Sequence, residues 1–525
     1  MPQLFVDTVD DNLVFERIES FGGGMDGFTR STLLPQDTSQ YLENCVLLQN
    51  LEARTRPGAD ALGGGTVDGG AAATLQGLSY FDTPALKYLL TAKGNNFWKW
   101  DGAAWSAANG FSVTPGGTFV AAQGVDKLAI SDGVQPLQIW DGTNFTSLGN
   151  VGPTGAGVVT FAVGRLFATA FPGTAGAGRE RDALWASNLL QFDANGWLPQ
   201  NSIRVGAGDG DPIVTASELP TTALTSFLIA VMKRNSVWLV NADPSQSPAN
   251  WQILKVGPGI GIVGKRAFCQ FGSDLYIFTR DGIRSVRRMQ SAAGQYELSP
   301  AMSVPMQPYI DRINWSAASG IVGTKYKELA LWAVPLDGAN SNNAVLVYNG
   351  RLGKWAGVWT GWTPVNFAVS QFGNVAALNV ADTNGQVNLF KDGSSIQLNT
   401  TYTDNSVAIG TKAWIRSCTF SDLINPKDGF YAETRFTDGN ATVNITAVMD
   451  NLAVRTWTAN IAPVGPILPV TLNFTLGAGN PSTTRRSLRG LTDFNELYLK
   501  IESAAGWFSL RNITMGAFLN MLDNQ

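Results

Sequence analysis

The feature that most constrains this chain is a recurring unit: a short apolar run of period two, a tight turn pair such as Asp-Gly or Asn-Gly, then a second apolar run. Trp100-Asp101-Gly102 and Trp140-Asp141-Gly142 stand 40 residues apart, and each is followed by an aromatic, Trp105 or Phe145. Looser copies follow at Phe278-Thr279-Arg280-Asp281-Gly282, Tyr348-Asn349-Gly350 and Phe390-Lys391-Asp392-Gly393, with Tyr348 and Phe390 separated by 42 residues. Alternation puts every second side chain on one face of a half-buried strand, and the turn pairs supply the backbone angles of a hairpin. Several short strands in a period of about 40–45 residues form one four-stranded blade of a β-propeller.

This pattern predicts an all-β chain. Between about Leu78 and Thr400 there is room for about seven blades at ~45 residues each. The step from Asp281 to Tyr348 is too long for one blade, which predicts an insertion near residues 300–320. Helical periodicity is nearly missing, and the two candidates are short: Ser39 to Gln49, with Thr38 or Ser39 as N-cap, and Met306 to Ser316. After residue 400 turn pairs thin out and strands lengthen, as at 441–450, 496–503 and 507–516. Two alternating faces without the blade period predict a β-sandwich. The organisation expected is an extended N-terminal arm with one short helix over 1–75, a β-propeller over 76–400, and a C-terminal β-sandwich over 401–525. Glycine clusters at 22–24, 63–65 and 69–70 mark the arm.

Composition narrows the chemistry. The chain has no histidine. Imidazole is the commonest general base and metal ligand near neutral pH, so Ser-His-Asp, Cys-His and His-ligated zinc mechanisms are excluded. With 37 basic and 41 acidic residues the net charge is −4, which gives no global attraction to nucleic acid or anionic membrane. Only 15% of residues are charged, below a usual ~25%, leaving weakly polar surface that suits coverage by partner subunits. Cys45, Cys269 and Cys418 are too far apart for a metal motif and are odd in number, so they read as buried small hydrophobes. The first residues carry acids where a signal peptide needs a basic start, and no apolar run approaches the ~18 residues of a membrane span. The expectation is synthesis in a cytoplasm without a secretory leader.

One stretch of the arm carries a family likeness. Phe21-Gly22-Gly23-Gly24-Met25 is followed by Leu34-Pro35, by Tyr41-Leu42-Glu43-Asn44-Cys45, and by Leu51-Glu52-Ala53-Arg54-Thr55-Arg56-Pro57-Gly58. This resembles the N-terminal pattern of tailed-bacteriophage structural proteins: a Gly-Gly-aliphatic start, a Leu-Pro, an Asn closing a short helix, and a basic Arg-x-Arg-Pro-Gly end. It is similar to the propeller-bearing tail nozzle, or tail tubular, proteins of short-tailed phages and related minor tail proteins. A second stretch resembles their blade series: Gly208-Asp209-Gly210-Asp211-Pro212-Ile213, the run from Leu228 to Trp238, Gly257-Pro258-Gly259-Ile260-Gly261, and Leu275 to Ile283. The likeness covers about residues 20–300. It implies several copies forming a homo-oligomeric ring in the virion tail, other tail or portal-adaptor proteins as partners, and phage DNA passing through without sequence-specific binding. A chain without net basic charge suits a conduit, because each phosphate contact adds affinity that would slow passage.

The remaining candidates concern specific side chains. Asp209 and Asp211, within Gly206 to Asp211, place two carboxylates in a glycine-rich loop. An ion site can look like this, but an EF-hand needs more ligands and a distal Glu. A turn before a strand is the plainer reading, and no metal or other cofactor is expected. Arg280, Arg284, Arg287 and Arg288 crowd one hairpin. With Arg54, Arg56, Pro57 and Gly58 they are the candidate subunit contacts, against the alternative of a solvated face. Trp98, Trp100, Trp105, Trp355, Trp359 and Trp362 either fill the space between blades or stack on sugars. The function expected is non-enzymatic: a tail nozzle component that joins tail parts and forms or gates the DNA conduit. The alternative is a tail-fibre or baseplate adhesin that binds host glycan through its tryptophans.

Overall fold

The computed structural model describes residues 13–519 apart from 115, 150–154, 171–180, 220–226, 289–295, 393–401, 421–425 and 462–481. It is all-β, and the one α-helix among these residues is Gln307–Ile310, preceded by a 3-10 turn at Val304–Met306. That helix falls inside the expected Met306 to Ser316 segment but is shorter. The other expected helix, Ser39 to Gln49, is instead two strands, Thr38–Glu43 and Cys45–Leu47. Asn44 separates them in the left-handed region (φ 55°), which asparagine tolerates better than most residues.

The chain folds into two units that are not consecutive in sequence. Residues 59–346 and 361–399 form one, and residues 1–58, 347–360 and 400–525 the other. The three consecutive segments expected from the sequence are thus regrouped: residues 59–75 belong with the blades, while the rest of the arm belongs with the C-terminal strands.

The first unit is a β-propeller arrangement of six four-stranded antiparallel blades. The inner strands of the first five are Leu78–Asp82, Val120–Gly124, Ala156–Ala162, Ile213–Glu218 and Phe268–Phe271. In each, the next three strands follow in chain order toward the rim. The closing blade has Pro364–Ser370 inside, then Ala377–Asp382 and Val387–Phe390. Its rim strand is Ala59–Ala61, taken from the start of the unit, with Leu389 opposite Asp60. One blade therefore joins both ends of the propeller, and Lys391 and Asp60 form an ion pair across the join.

The blade repeat has a common local cause. The Asp101 carboxylate accepts hydrogen bonds from the amides of Ala103 and Ala104 at 2.9 Å, and Asp141 accepts from Thr143 and Asn144 at 2.8 and 2.7 Å. Each side chain therefore replaces a backbone turn, and the following Gly102 or Gly142 takes the positive φ required. These amide bonds, led by that of Ala104 for Asp101 and of Asn144 for Asp141, hold both carboxyls below the ordinary range. The turn sets the register that pairs Trp100 with Trp105 and Trp140 with Phe145.

The core lies between successive blades. Phe81, Phe97, Phe119, Leu128 and Trp140 fill the space between the first and second, and Leu137, Phe192 and Trp197 lie between the second and third. Leu75, Leu89, Trp100 and Val387 seal the closing blade to the first. A buried Phe is worth about 1.5–3 kcal/mol relative to leaving it exposed, so these seams dominate the stability of the ring. Amide side chains stitch the inner strands as well: Asn366 donates to the Leu78 carbonyl at 2.9 Å, and Gln270 to that of Glu218 at 2.8 Å.

In the second unit the longest strand is Lys427–Met449. Its first half pairs with Gly506–Leu519 and Ser482–Ser487, and its second half with Leu497–Ser503 and Leu452–Ile461. Leu13–Ile18 pairs with Gly506–Leu519, and Thr38–Glu43 with Thr411–Ile415, so strands from before residue 44 and from after residue 410 share this sheet.

If the aspartate acceptor fixes the blade turn, Asp101→Ala and Asp141→Ala each cost about 1 kcal/mol in chemical denaturation, while the Asn variants retain most of that. Equal losses for Ala and Asn at either position would show that the turn does not need the acceptor.

Candidate functional site

The Arg54 to Gly58 segment is built into the second unit. Ala53–Thr55 pairs with Cys45–Leu47 as an antiparallel ladder, which alternates the two arginines around Thr55. Arg54 lies over Trp507, 4.5 Å from the ring centroid, and donates to the Tyr402 hydroxyl. Tyr402 and Trp507 stack with centroids 4.8 Å apart, so the guanidinium caps an aromatic pair.

Arg56 is fully buried and commits all of its donors. Nε donates to Asn44 Oδ1 at 2.9 Å, and Nη1 donates to Asp404 Oδ1 at 3.0 Å and to the Pro57 carbonyl at 3.1 Å. Nη2 donates to the Thr360 carbonyl at 2.8 Å and pairs with Asp404 Oδ2 at 2.5 Å. Asn44 serves the same knot. Its Oδ1 accepts the Thr360 amide at 2.8 Å, while its Nδ2 donates to Thr360 Oγ1 and to the Gly410 carbonyl. Trp359 donates its indole N–H to the Cys45 carbonyl at 2.8 Å. Gly58 is required by close approach, since a Cβ there would run into the Thr403 backbone. The segment expected at a subunit contact thus holds Arg56 and Gly58 inside one chain, with Arg54 and Pro57 half-buried.

The other predicted residues divide. Asp209 accepts from Lys233 Nζ through both oxygens at 2.9 Å, and the Lys233 side chain is buried. Burial works to raise the Asp209 pKa, but the hydrogen bonds and charge of Lys233 outweigh it and hold the carboxyl below its ordinary value. Asp211 accepts the Asn235 amide at 3.1 Å and the Ser236 hydroxyl at 2.8 Å. Both carboxylates therefore brace the Lys233 to Ser236 turn of their own blade. Among the described residues no group of three or more acidic or thiol side chains converges as a metal site.

In the second hairpin, Arg280 is exposed, while Arg284 donates to the Ser299 carbonyl at 3.0 Å and pairs with Asp281 at 3.6 Å. The side chains of Arg287 and Arg288 lie outside the described residues. Trp100, Trp355, Trp359 and Trp362 are buried, and Trp105 packs on Trp100 while donating to the Leu62 carbonyl. These tryptophans are spent as packing rather than offered as a sugar platform. Cys45, Cys269 and Cys418 are buried free thiols, with burial pushing Cys269 and Cys418 up to about 12.

Sequence reasoning passed over Lys265 and Arg266, which precede the inner strand of the fifth blade. Lys265 Nζ donates to the Thr118 carbonyl at 2.8 Å. Thr118 precedes the inner strand of the second blade, three blades away, so the side chain crosses the centre of the ring. Burial, with the adjacent Arg266 charge, pushes the Lys265 ammonium down to about 7 against the opposing influence of Asp132. Arg266 is pushed to about 10 by burial, and its Nη1 is buried without a hydrogen-bond partner. A signal for this loop was present in Gly261 and Gly264. A Cβ at either would strike backbone, of Arg234 and Ser319 respectively, which marks a strap squeezed between blades.

No protein-family model matches the chain, and no curated protein matches it.

Replacing Arg56 by Met removes the guanidinium from Asp404, Asn44 and the Thr360 carbonyl and is expected to cost about 3–5 kcal/mol in chemical denaturation. Asp404→Asn, at a partly accessible site, should cost about 1–2 kcal/mol. A loss within about 0.5 kcal/mol for Arg56→Met, the usual range for an unremarkable surface site, would contradict this role.

Proposed function

We propose that the chain is a non-enzymatic structural protein of a tailed-phage virion, a nozzle or tubular component that assembles as a ring, connects tail parts and forms or gates the DNA conduit. The observation that carries the reading is the Arg56 knot. The residues on which the family likeness rests are not scattered turn formers, because Asn44, Arg54, Arg56 and Gly58 act together as one structural device. A likeness whose elements cooperate is stronger than one whose elements are independent.

The non-catalytic part of the reading draws on the missing histidine and on the use of Asp209 and Asp211 as turn braces. The finer architecture belongs to the same proposal. Val322–Tyr326 packs beside Phe268–Phe271 on one side and Pro364–Ser370 on the other, the place of a further inner strand, which supports a seventh blade. In Lys427–Met449, register shifts at Arg435/Phe436 and Phe436/Asp438 come where the strand changes partners. Bulges of this kind let one strand serve two packed sheets, which supports the β-sandwich.

Arg280, exposed at the tip of its hairpin and without an ion pair among the described residues, is the cation best placed for a neighbouring copy. Native mass spectrometry with negative-stain imaging is expected to show closed rings in multiples of 56.1 kDa. Arg280→Glu should weaken the ring without lowering the denaturation midpoint of the chain. A persistent 56.1 kDa monomer that never joins a tail ring would defeat the proposal.

A further inference from the structure

Leu13–Ile18, Gly506–Leu519, Lys427–Met449 and Ser482–Ser487 lie side by side in the second unit, and their register sets rows of side chains on one face. Arg17, Thr514, Glu433 and Arg485 stand opposite one another in the first row. Phe15, Gly516, Tyr431 and Ser487 make the second row, and Asn512, Arg435 and Thr483 the third. Alternation sends the residues between them into the core, where Ile18, Ala432, Thr434, Phe436, Ile513 and Met515 are buried.

The outward side chains meet as this register requires. The rings of Phe15 and Tyr431 pack across Gly516, with centroids 5.9 Å apart, and a Cβ on Gly516 would come within 2.9 Å of Phe15. Arg485 lies over Tyr431, 3.9 Å from the ring centroid, and Arg489, just beyond Ser487, lies over Phe430 at 5.5 Å. Arg17, Arg435, Arg485 and Arg489 are all exposed. Arg435 pairs with Glu433 through Nε at 2.8 Å, and Arg17 with the exposed Glu19 at 3.3 Å. The guanidinium groups of Arg485 and Arg489 have no carboxylate or hydrogen-bond acceptor among the described residues.

A guanidinium stacked on a ring is fixed by its face and keeps its N–H edge for a partner. Arg56 turns its donors inward, whereas Arg485 and Arg489 hold theirs at the surface. These four arginines outnumber Glu433 and Glu19, the carboxylates paired with them, in a chain whose net charge is −4. A polyanion complements such a local excess. Phe15, 52% exposed among the cations, adds an aromatic face on which an unpaired base can stack. That ring favours nucleic acid over an acidic polysaccharide, and a single strand over a duplex whose bases are already stacked.

We infer that this face binds single-stranded nucleic acid, with Arg17, Arg435, Arg485 and Arg489 holding phosphates and Phe15 stacking on a base. The inference stands on the second unit alone and does not depend on the tail-ring reading.

The experiment is fluorescence anisotropy of a labelled oligothymidine titrated with the full chain. Log affinity is expected to fall with log salt at a slope of about −0.7 per phosphate held, or about −3 for four contacts. Arg485→Glu should lower affinity about tenfold or more and flatten that slope by about 1. Phe15→Ala should lower it about tenfold at unchanged slope, and leave binding of an abasic oligomer of the same length unaltered. Both side chains are exposed, so the denaturation midpoint should stay at the wild-type value. Tighter binding of duplex than of single strand overturns the inference. Equal binding of heparin, with Phe15→Ala without effect on oligothymidine, also overturns it and assigns the face to anionic polymers in general. Absence of salt-dependent binding by the wild-type chain, or binding untouched by both substitutions, overturns it outright.

Discussion

The second unit depends on one buried guanidinium. Arg56 gathers Asn44, Thr360 and Asp404, which lie on three separate stretches of chain, the first 316 residues from the second. Bringing such stretches together carries a loop-closure cost that no local propensity offsets. A planar cation with five fixed donors can satisfy several backbone and side-chain acceptors at once, which a lysine could not do. Asn44 complements it by adopting a left-handed turn that aims its amide at Thr360 and Gly410. Break the centre and acceptors from all three stretches lose a partner.

The propeller is held by a different economy. Its blades are local, five of them made from consecutive strands, with Asp101 and Asp141 fixing turns in the first two, and its seams are apolar. Only the closing blade needs a distant piece of chain, the three-residue strand Ala59–Ala61. Propeller stability therefore rests on many equivalent seams, whereas the second unit rests on a polar knot. The central Lys265 is an exception in the propeller, a charged side chain spanning the ring where apolar packing would be expected.

What the sequence revealed and what it hid follow from range. Blade turns were legible because Asp101 and Asp141 bond to amides two and three residues on, so cause and effect lie within one motif. The Ser39 to Gln49 strands were misread as a helix because Leu42, Cys45 and Val46 have helical spacing. Their actual partners, Thr411–Ile415 and Ala53–Thr55, cannot be seen in a local window. Arg54 and Arg56 stood out as a motif, yet their burial depends on Tyr402, Asp404 and Thr360. Lys265 was hidden because its partner, the Thr118 carbonyl, lies 147 residues away, and only the glycines of its loop hinted at close packing.

The most direct test of the account is hydrogen exchange at three backbone amides of the knot. Asn44 donates to the Val358 carbonyl, Arg56 to that of Asn44, and Thr360 to the Asn44 side chain. If Arg56 joins these stretches into one cooperative unit, the three amides exchange together in the slowest class of that unit, and Arg56→Met accelerates all three alike. Rapid exchange at Arg56 while Thr360 stays protected would show that the stretches are held independently and that the knot is not what the unit depends on.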